Sequence, residues 1–409
     1  MLSAIQPAHA QGASGGGSAL FRSDAAGVRI EPQYEPTPIR IGPLLADIRL
    51  AASAVADNNV LKTSDGSIDD VYLALVPSIR LIGNVGPDSI SLAGRADFRR
   101  YVRREAENSE TFDLTASSRI SLSQDAQVNW RAQIAREVES RGSAGTNVRD
   151  ASPAEYRTID IQGSGRAEFG RLSVSAGAGV ARQSYLPIRL ETGARLDQSF
   201  RDTRTLSVAP RASFLLTPAT SFFIGGSATK RESLDRRLGQ LRDSNGIALL
   251  GGVRLEGERL IVGEIGVGWR RQNYRNPAFS DFGGLTYDAT VDWYPTPLMS
   301  VRAQAGQDIV NSGIATVAGV VRQSFGLKGF YDPRRNIRII AGFDHEHDDY
   351  REIALTTDTA TATLTGQYLA GRHLIMSAFC RFQVKGSSDP QTIDDYRSLA
   401  IGVAFTGRL

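Results

Sequence analysis

The chain has 409 residues, 41% hydrophobic and 22% charged, with a formal net charge of +3 and one cysteine, Cys380. No run of about eighteen uncharged apolar residues occurs, which excludes a transmembrane helix. No cluster of about five or six like charges occurs either, so no nucleic-acid partner is expected. A lone cysteine permits no intrachain disulfide and no cysteine zinc motif.

Ala8-His9-Ala10 followed by Gln11 has the small-x-small form of a signal-peptidase site. Residues 1–10 are therefore expected to be the remnant of a secretory signal peptide, with a chance Ala-x-Ala in an alanine-rich chain as the alternative. Residues 11–39 carry a Gly/Ser run from Gly12 to Ser18 and then Pro32, Pro36 and Pro38. That composition predicts a flexible periplasmic tail.

From 40 to 409 one pattern repeats: apolar and polar residues alternate over about ten positions, a turn follows, and the alternation resumes. It places strands near 43–56, 71–83, 89–102, 111–123, 126–139, 156–169, 171–185, 203–216 and 220–231. Further strands fall near 245–256, 259–274, 283–294, 298–310, 314–327, 335–349, 356–369, 371–385 and 395–408. The expected fold is all-β, a transmembrane antiparallel up-and-down β-barrel of about 18 strands. Connections after even-numbered strands are tight, as at Gly83 to Pro87, Ser123 to Asp125, Thr217 to Ala219, Pro295 to Pro297 and Ala370-Gly371. Those after odd-numbered strands are mostly longer, as at 57–70, 140–155, 186–202 and 232–244. Short periplasmic turns and long outer loops are the asymmetry of an outer-membrane barrel, and a soluble sandwich has no reason to show it.

In the clearest strand Leu285, Tyr287, Ala289, Val291 and Trp293 are predicted to face lipid. Thr286, Asp288, Thr290 and Asp292 are predicted to face the lumen. Trp293, Tyr294, Trp269, Tyr274, Tyr101 and Tyr185 lie near strand ends, where amphipathic rings suit the membrane interface. The last strand carries Leu399, Ile401, Val403 and Phe405 at every second position. That resembles the signal read by the barrel-assembly machinery, although Thr406 to Leu409 overrun it.

About eighteen strands enclose a ring too wide for side chains to fill, leaving an aqueous channel. The candidate pore-lining residues are Arg95, Asp97, Arg99, Arg119, Arg131, Arg166, Arg254, Arg270, Asp288, Asp292, Arg302, Arg338, Asp344 and Arg381. Facing water they cost little, whereas at mid-depth in lipid each would cost about 2–4 kcal/mol. Arginine forks also suit the carboxylates of acidic sugars. The bland alternative is that opposed arginines and aspartates only brace the wall. His345-Glu346-His347 puts two imidazoles on one strand face, but no third ligand is identifiable, and the polar outer end of a strand explains them better. His373 has no nucleophile motif beside it, so no enzyme, cofactor or metal is expected.

The segments running from Pro38 to Asn59, from Gly263 to Tyr274 (GEIGVGWRRQNY) and from Val291 to Gln307 (VDWYPTPLMSVRAQAGQ) resemble the putative beta-barrel porin 2 family. Asp57-Asn58-Asn59, Gly263 to Gly268 and Trp293 to Leu298 occupy its motif positions. Leu44-Leu45 and Ala46 depart from its usual aromatic and proline. The resemblance implies an outer-membrane barrel of a Gram-negative bacterium. Members often sit among exopolysaccharide genes, which implies a channel for polysaccharide or another hydrophilic solute. The alternatives are a general diffusion porin and a structural barrel without an open pore. Expected partners are outer-membrane lipid and lipopolysaccharide, the barrel-assembly machinery, and polysaccharide with its export proteins.

Overall fold

The computed structural model describes residues 26–27, 31–144, 151–190, 192–235, 242–257 and 260–409. The expected signal-peptide remnant and residues 11–25 of the expected tail lie outside them. Eighteen long strands form the wall. The first six are β1 (Leu44–Asp57), β2 (Asp70–Val85), β3 (Asp88–Tyr101), β4 (Ser109–Ser121), β5 (Ala126–Val138) and β6 (Glu155–Phe169). The next six are β7 (Leu172–Tyr185), β8 (Thr203–Thr217), β9 (Thr220–Ser233), β10 (Ser244–Leu255), β11 (Ile261–Tyr274) and β12 (Phe282–Thr296). The last six are β13 (Met299–Asn311), β14 (Gly319–Arg334), β15 (Ile337–Tyr350), β16 (Leu355–Leu369), β17 (Leu374–Ser387) and β18 (Tyr396–Arg408). Each pairs antiparallel with its sequence neighbours, and β1 pairs with β18, so the sheet is closed.

The closing ladder runs from Arg49↔Arg408 to Asp57↔Ala400. Below it, Ile48 and Leu409 exchange backbone hydrogen bonds of 3.3 and 2.9 Å. Above it, the Asn58 carboxamide oxygen accepts from the Leu399 N–H at 2.7 Å, and Asn59 Nδ2 donates to the Arg397 carbonyl at 3.0 Å. The Asp-Asn-Asn motif therefore continues the seal with side chains after β1 has ended. An unpaired edge would otherwise meet lipid there, where no water can satisfy it.

Residues opposite one another in an antiparallel ladder share a face. Following the rungs around the ring carries Asp292 to Arg302, Lys328, Gly342, Thr363, Arg381 and Ala400. That face is the inside, because its side chains reach across strands: Arg211 of β8 meets Glu264 of β11 at 2.7 Å. The opposite row is apolar and open, with Leu285 65% and Ile265 54% exposed. Leu285, Tyr287, Ala289, Val291 and Trp293 stand on this outward row, as alternation predicted.

Two local expectations fail. The fourteenth strand runs Gly319–Arg334 rather than 314–327. Ile314 and Val317 were apolar enough to mimic a strand. They instead pack in the outer loop with Val320, Tyr350 and Leu355, while the tight turn falls at 335–336. Tyr101, Tyr185, Tyr274 and Tyr294 are not rings facing the membrane interface. Tyr101 tilts against Tyr72 at 5.0 Å and Tyr185 against Tyr156 at 5.2 Å, both on the inward row. Tyr274 shares a rung with Ser244 of the inward row, and Tyr294 is buried with Val262.

Candidate functional site

The registers place all fourteen candidate residues on the inward face. Many are paired. Arg302 grips Asp292 bidentately at 2.7 and 3.0 Å, Arg99 holds Asp97 at 3.0 Å, and Arg338 holds Asp332 at 2.9 Å. Arg270 reaches Asp308 at 2.7 Å, Arg166 reaches Glu168 at 3.0 Å, and Arg254 bridges Glu256 and Glu264. Among the described residues no carboxylate lies within 4.0 Å of Arg80, Arg95, Arg119, Arg131 or Arg381. These five stand on β2, β3, β4, β5 and β17, one sector of the ring. Asp288 of β12 and Asp344 of β15, likewise without a cation within 4.0 Å, face the lumen from another. Asp113 of β4, opposite Arg95, also has no cation within 4.0 Å among the described residues, so the interior carries both charges rather than being uniformly basic.

Between these sectors lies a feature that sequence reasoning missed. Phe223 of β9 points inward over Gly252 and Gly266, where an added Cβ would come within 2.6 and 3.0 Å of its ring. Arg211 stacks on the ring at 3.8 Å and is held by Glu264. The Gly-Glu-Ile-Gly motif thereby supplies both a seat for the ring and the carboxylate that fixes the guanidinium. Its meaning depended on a register that alternation cannot give. Beside it a concavity lined by Gln127, Asn129, Ser164, Arg166, Arg211 and Arg254 opens on the interior.

The start of the connection between β5 and β6, residues 139–144, reaches across the outer mouth. Lys385 Nζ of β17, on the far wall, donates to the Gly142 carbonyl at 2.6 Å. Gly142 has φ +80°, and an added Cβ would meet the Tyr396 hydroxyl at 2.5 Å, so only glycine fits. Ala144 is buried with Val317, Val320, Tyr350, Leu355 and Ile393, and its carbonyl accepts from Gly313 N–H at 3.2 Å. Glu139 pairs with the buried Arg201, which stacks on Tyr185 at 3.9 Å, and Arg141 reaches Glu107 at 3.2 Å. From the β9–β10 connection Arg242 donates to the carbonyls of Ser312 and Ile314 at 2.8 and 2.6 Å. Burial lowers this guanidinium to about 10, so it is still charged at neutral pH.

At the periplasmic end the described part of the N-terminal stretch lies against the wall. Ser300 donates to the Ala26 carbonyl at 2.8 Å, and Gly27 N–H donates to Asp332 at 3.1 Å. Arg408 reaches the Tyr34 carbonyl and lies 3.7 Å from Glu35. Ile39–Ile41 then pairs with Leu44 to Ala46.

His345 and His347 fall on the outward row, 3.4 and 2.9 Å from Asp358. Among the described residues no three ligating groups converge on a metal position. His373 Nδ1 lies 3.0 Å from the Arg408 carbonyl oxygen.

Residues 31–408 match the family described as putative beta-barrel porin 2. The chain belongs to that family. This family member is therefore an outer-membrane barrel with a porin-like channel fold. No curated protein matches the sequence. Among solved structures, the chain is similar to the outer membrane protein OpdK of Pseudomonas aeruginosa, with 10% identity, a TM-score of 0.44, and 89% of this chain and 99% of that one covered. For OccK3 of the same organism the values are 13%, 0.46, 89% and 96%. For the siderophore receptor PiuA of Acinetobacter baumannii they are 9%, 0.45, 90% and 82%.

Proposed function

We propose that this barrel is a non-enzymatic channel for a hydrophilic solute, with acidic polysaccharide as the class its interior suits best. The observation that carries the reading is the inward sector of Arg80, Arg95, Arg119, Arg131 and Arg381, which have no carboxylate within 4.0 Å among the described residues. Basic side chains along a pore lower the barrier for anions and raise it for cations, most at low salt. Planar-bilayer recordings across a potassium chloride gradient are expected to give a reversal potential on the chloride side. Arg95→Gln with Arg119→Gln should move it toward zero, and a cation-selective wild type would sink the reading. Block of the current by a soluble polyuronate, but not by a neutral glucan, tests the polysaccharide. The loop crossing the outer mouth favours a second reading, a diffusion porin for small solutes, which predicts steady current with neither polymer blocking. The outward row from Leu399 to Phe405 is the surface offered to the assembly machinery.

A further inference from the structure

One junction in the wall differs from the rest. The β12–β13 ladder stops at Asp288↔Gly306, yet β12 runs on to Phe282 and β13 to Asn311. Each stays paired on its other side, Phe282 with Gln272 and Asn311 with Gly319. At no other junction among the described residues do both strands run on so far beyond the last rung. The missing rungs lie toward the 275–281 and 312–318 connections, in the outer half of the wall. There β13 leans over the lumen. Asn311 stands on its outward row, yet accepts from Arg231 of β9 at 2.7 Å and donates to Gln183 of β7 at 3.4 Å.

Free strand edges are tolerated at membrane depth only when protein covers them or water reaches them. Here Phe282, Ile309 and Val321 fill the gap at 7, 7 and 3% exposure, although Ile309 and Val321 belong to the lipid-facing row. Asp308 accepts the Ile309 N–H at 2.8 Å, and Arg270 holds the same carboxylate. Gln307, on the first missing rung, has its buried side-chain carboxamide oxygen without a partner among the described residues. Above, Arg351 sits 5.4 Å from the Phe282 ring centre, and Ser280 N–H donates to Glu352 at 3.3 Å. Side chains, rather than backbone bonds, hold this part of the wall shut.

We propose that the β12–β13 seam is a lateral portal that admits the acyl chain of an outer-leaflet lipid while its head group rests on the charged interior. Phe282, Ile309 and Val321 supply an apolar contact that an aqueous solute has no use for. Asp288, Arg270 and Asp308 lie just inside for the polar end. No backbone ladder has to break for a chain to enter.

The full chain, with Trp130, Trp269 and Trp293 changed to Phe, is reconstituted in phosphatidylcholine vesicles brominated on the acyl chains. Single reporters are then introduced as Phe282→Trp in the seam, Thr363→Trp on the interior and Leu364→Trp on the lipid face. Bromine is expected to quench the seam reporter nearly as strongly as the lipid-face one and far more than the interior one. Tyr287→Cys with Gln307→Cys, in a Cys380→Ser background, places a disulfide at the first missing rung. Oxidation should remove the seam quenching, and dithiothreitol should restore it. Seam quenching no stronger than at Thr363→Trp, or unaffected by the staple, overturns the portal. Folding is checked by heat-modifiable gel migration; if Phe282→Trp fails it, Ile309→Trp carries the reporter and the staple decides.

Discussion

Ala289 sits at the middle of β12 on the outward row, opposite Ile265 of β11 and Ala305 of β13. An arginine there must hold its charge in hydrocarbon, which costs about 2–4 kcal/mol near the midplane. Thr290, its neighbour, faces Glu264 and Gln304 on the inward row, where a guanidinium meets water and a carboxylate. Urea unfolding in vesicles is expected to show Ala289→Arg strongly destabilised and Thr290→Arg close to the parent. Equal loss at both sites would mean that the faces are reversed. Facing of this kind was legible because side-chain direction alternates strictly with position. The tyrosines show how that signal is lost when ring chemistry is allowed to outrank it. Tyr101 shares its parity with Asp97 and Arg99 and was inward on that ground alone. Pairing partners were not legible: Arg302 finds Asp292 on an adjacent strand, but Arg211 finds Glu264 across two intervening strands. Nothing in a linear pattern encodes a contact set by stagger.

At the level of elements, seventeen of the eighteen strands lie where alternation put them, within a few residues, because each turn interrupts the pattern at its own position. β14 is the exception, since the apolar run around Ile314 and Val317 serves a loop cluster that only the folded mouth creates. The Asp57-Asn58-Asn59 motif was legible as a family mark but not as a device. In the fold, buried Asn59 receives the Thr63 N–H at 3.2 Å and donates to the Thr63 and Arg397 carbonyls at 2.8 and 3.0 Å. Asn59→Ala leaves those carbonyls without that donor where β1 meets β18. Loss of such a buried partner costs about 1–3 kcal/mol. The expected result is an unfolding free energy lower by that amount and a barrel that loses its compact gel migration at lower temperature. A neighbouring exposed change such as Asp65→Ala should leave both unchanged. If Asn59→Ala behaves like Asp65→Ala, the motif does not seal the ring.

Across the whole molecule, residues 139–144 at the start of the β5–β6 connection tie one wall to the other, and releasing them is expected to widen the outer mouth. The length of this connection marked it as an outer loop, but its landing place depends on which strands end up opposite. Beyond the ion pairs of Glu139 and Arg141, two contacts hold its far part: Lys385 to the Gly142 carbonyl, and Ala144 within the apolar cluster. Lys385→Met keeps the side-chain stem and removes the donor. Ala144→Asp forces a carboxylate into a site lined by Val317, Val320, Tyr350, Leu355 and Ile393, where an unpaired charge is strongly disfavoured. Either change should detach the crossing segment, which moves more readily than the hydrogen-bonded wall around it. Single-channel conductance is therefore expected to rise in both variants, with the double variant rising less than the two increments combined, because both release one segment. An outward substitution such as Arg157→Ala should leave conductance as it was. The two arms separate two failures. If neither variant alters the current of a conducting wild type, the crossing segment does not restrict the pore. If no variant conducts at all, the channel itself is wrong.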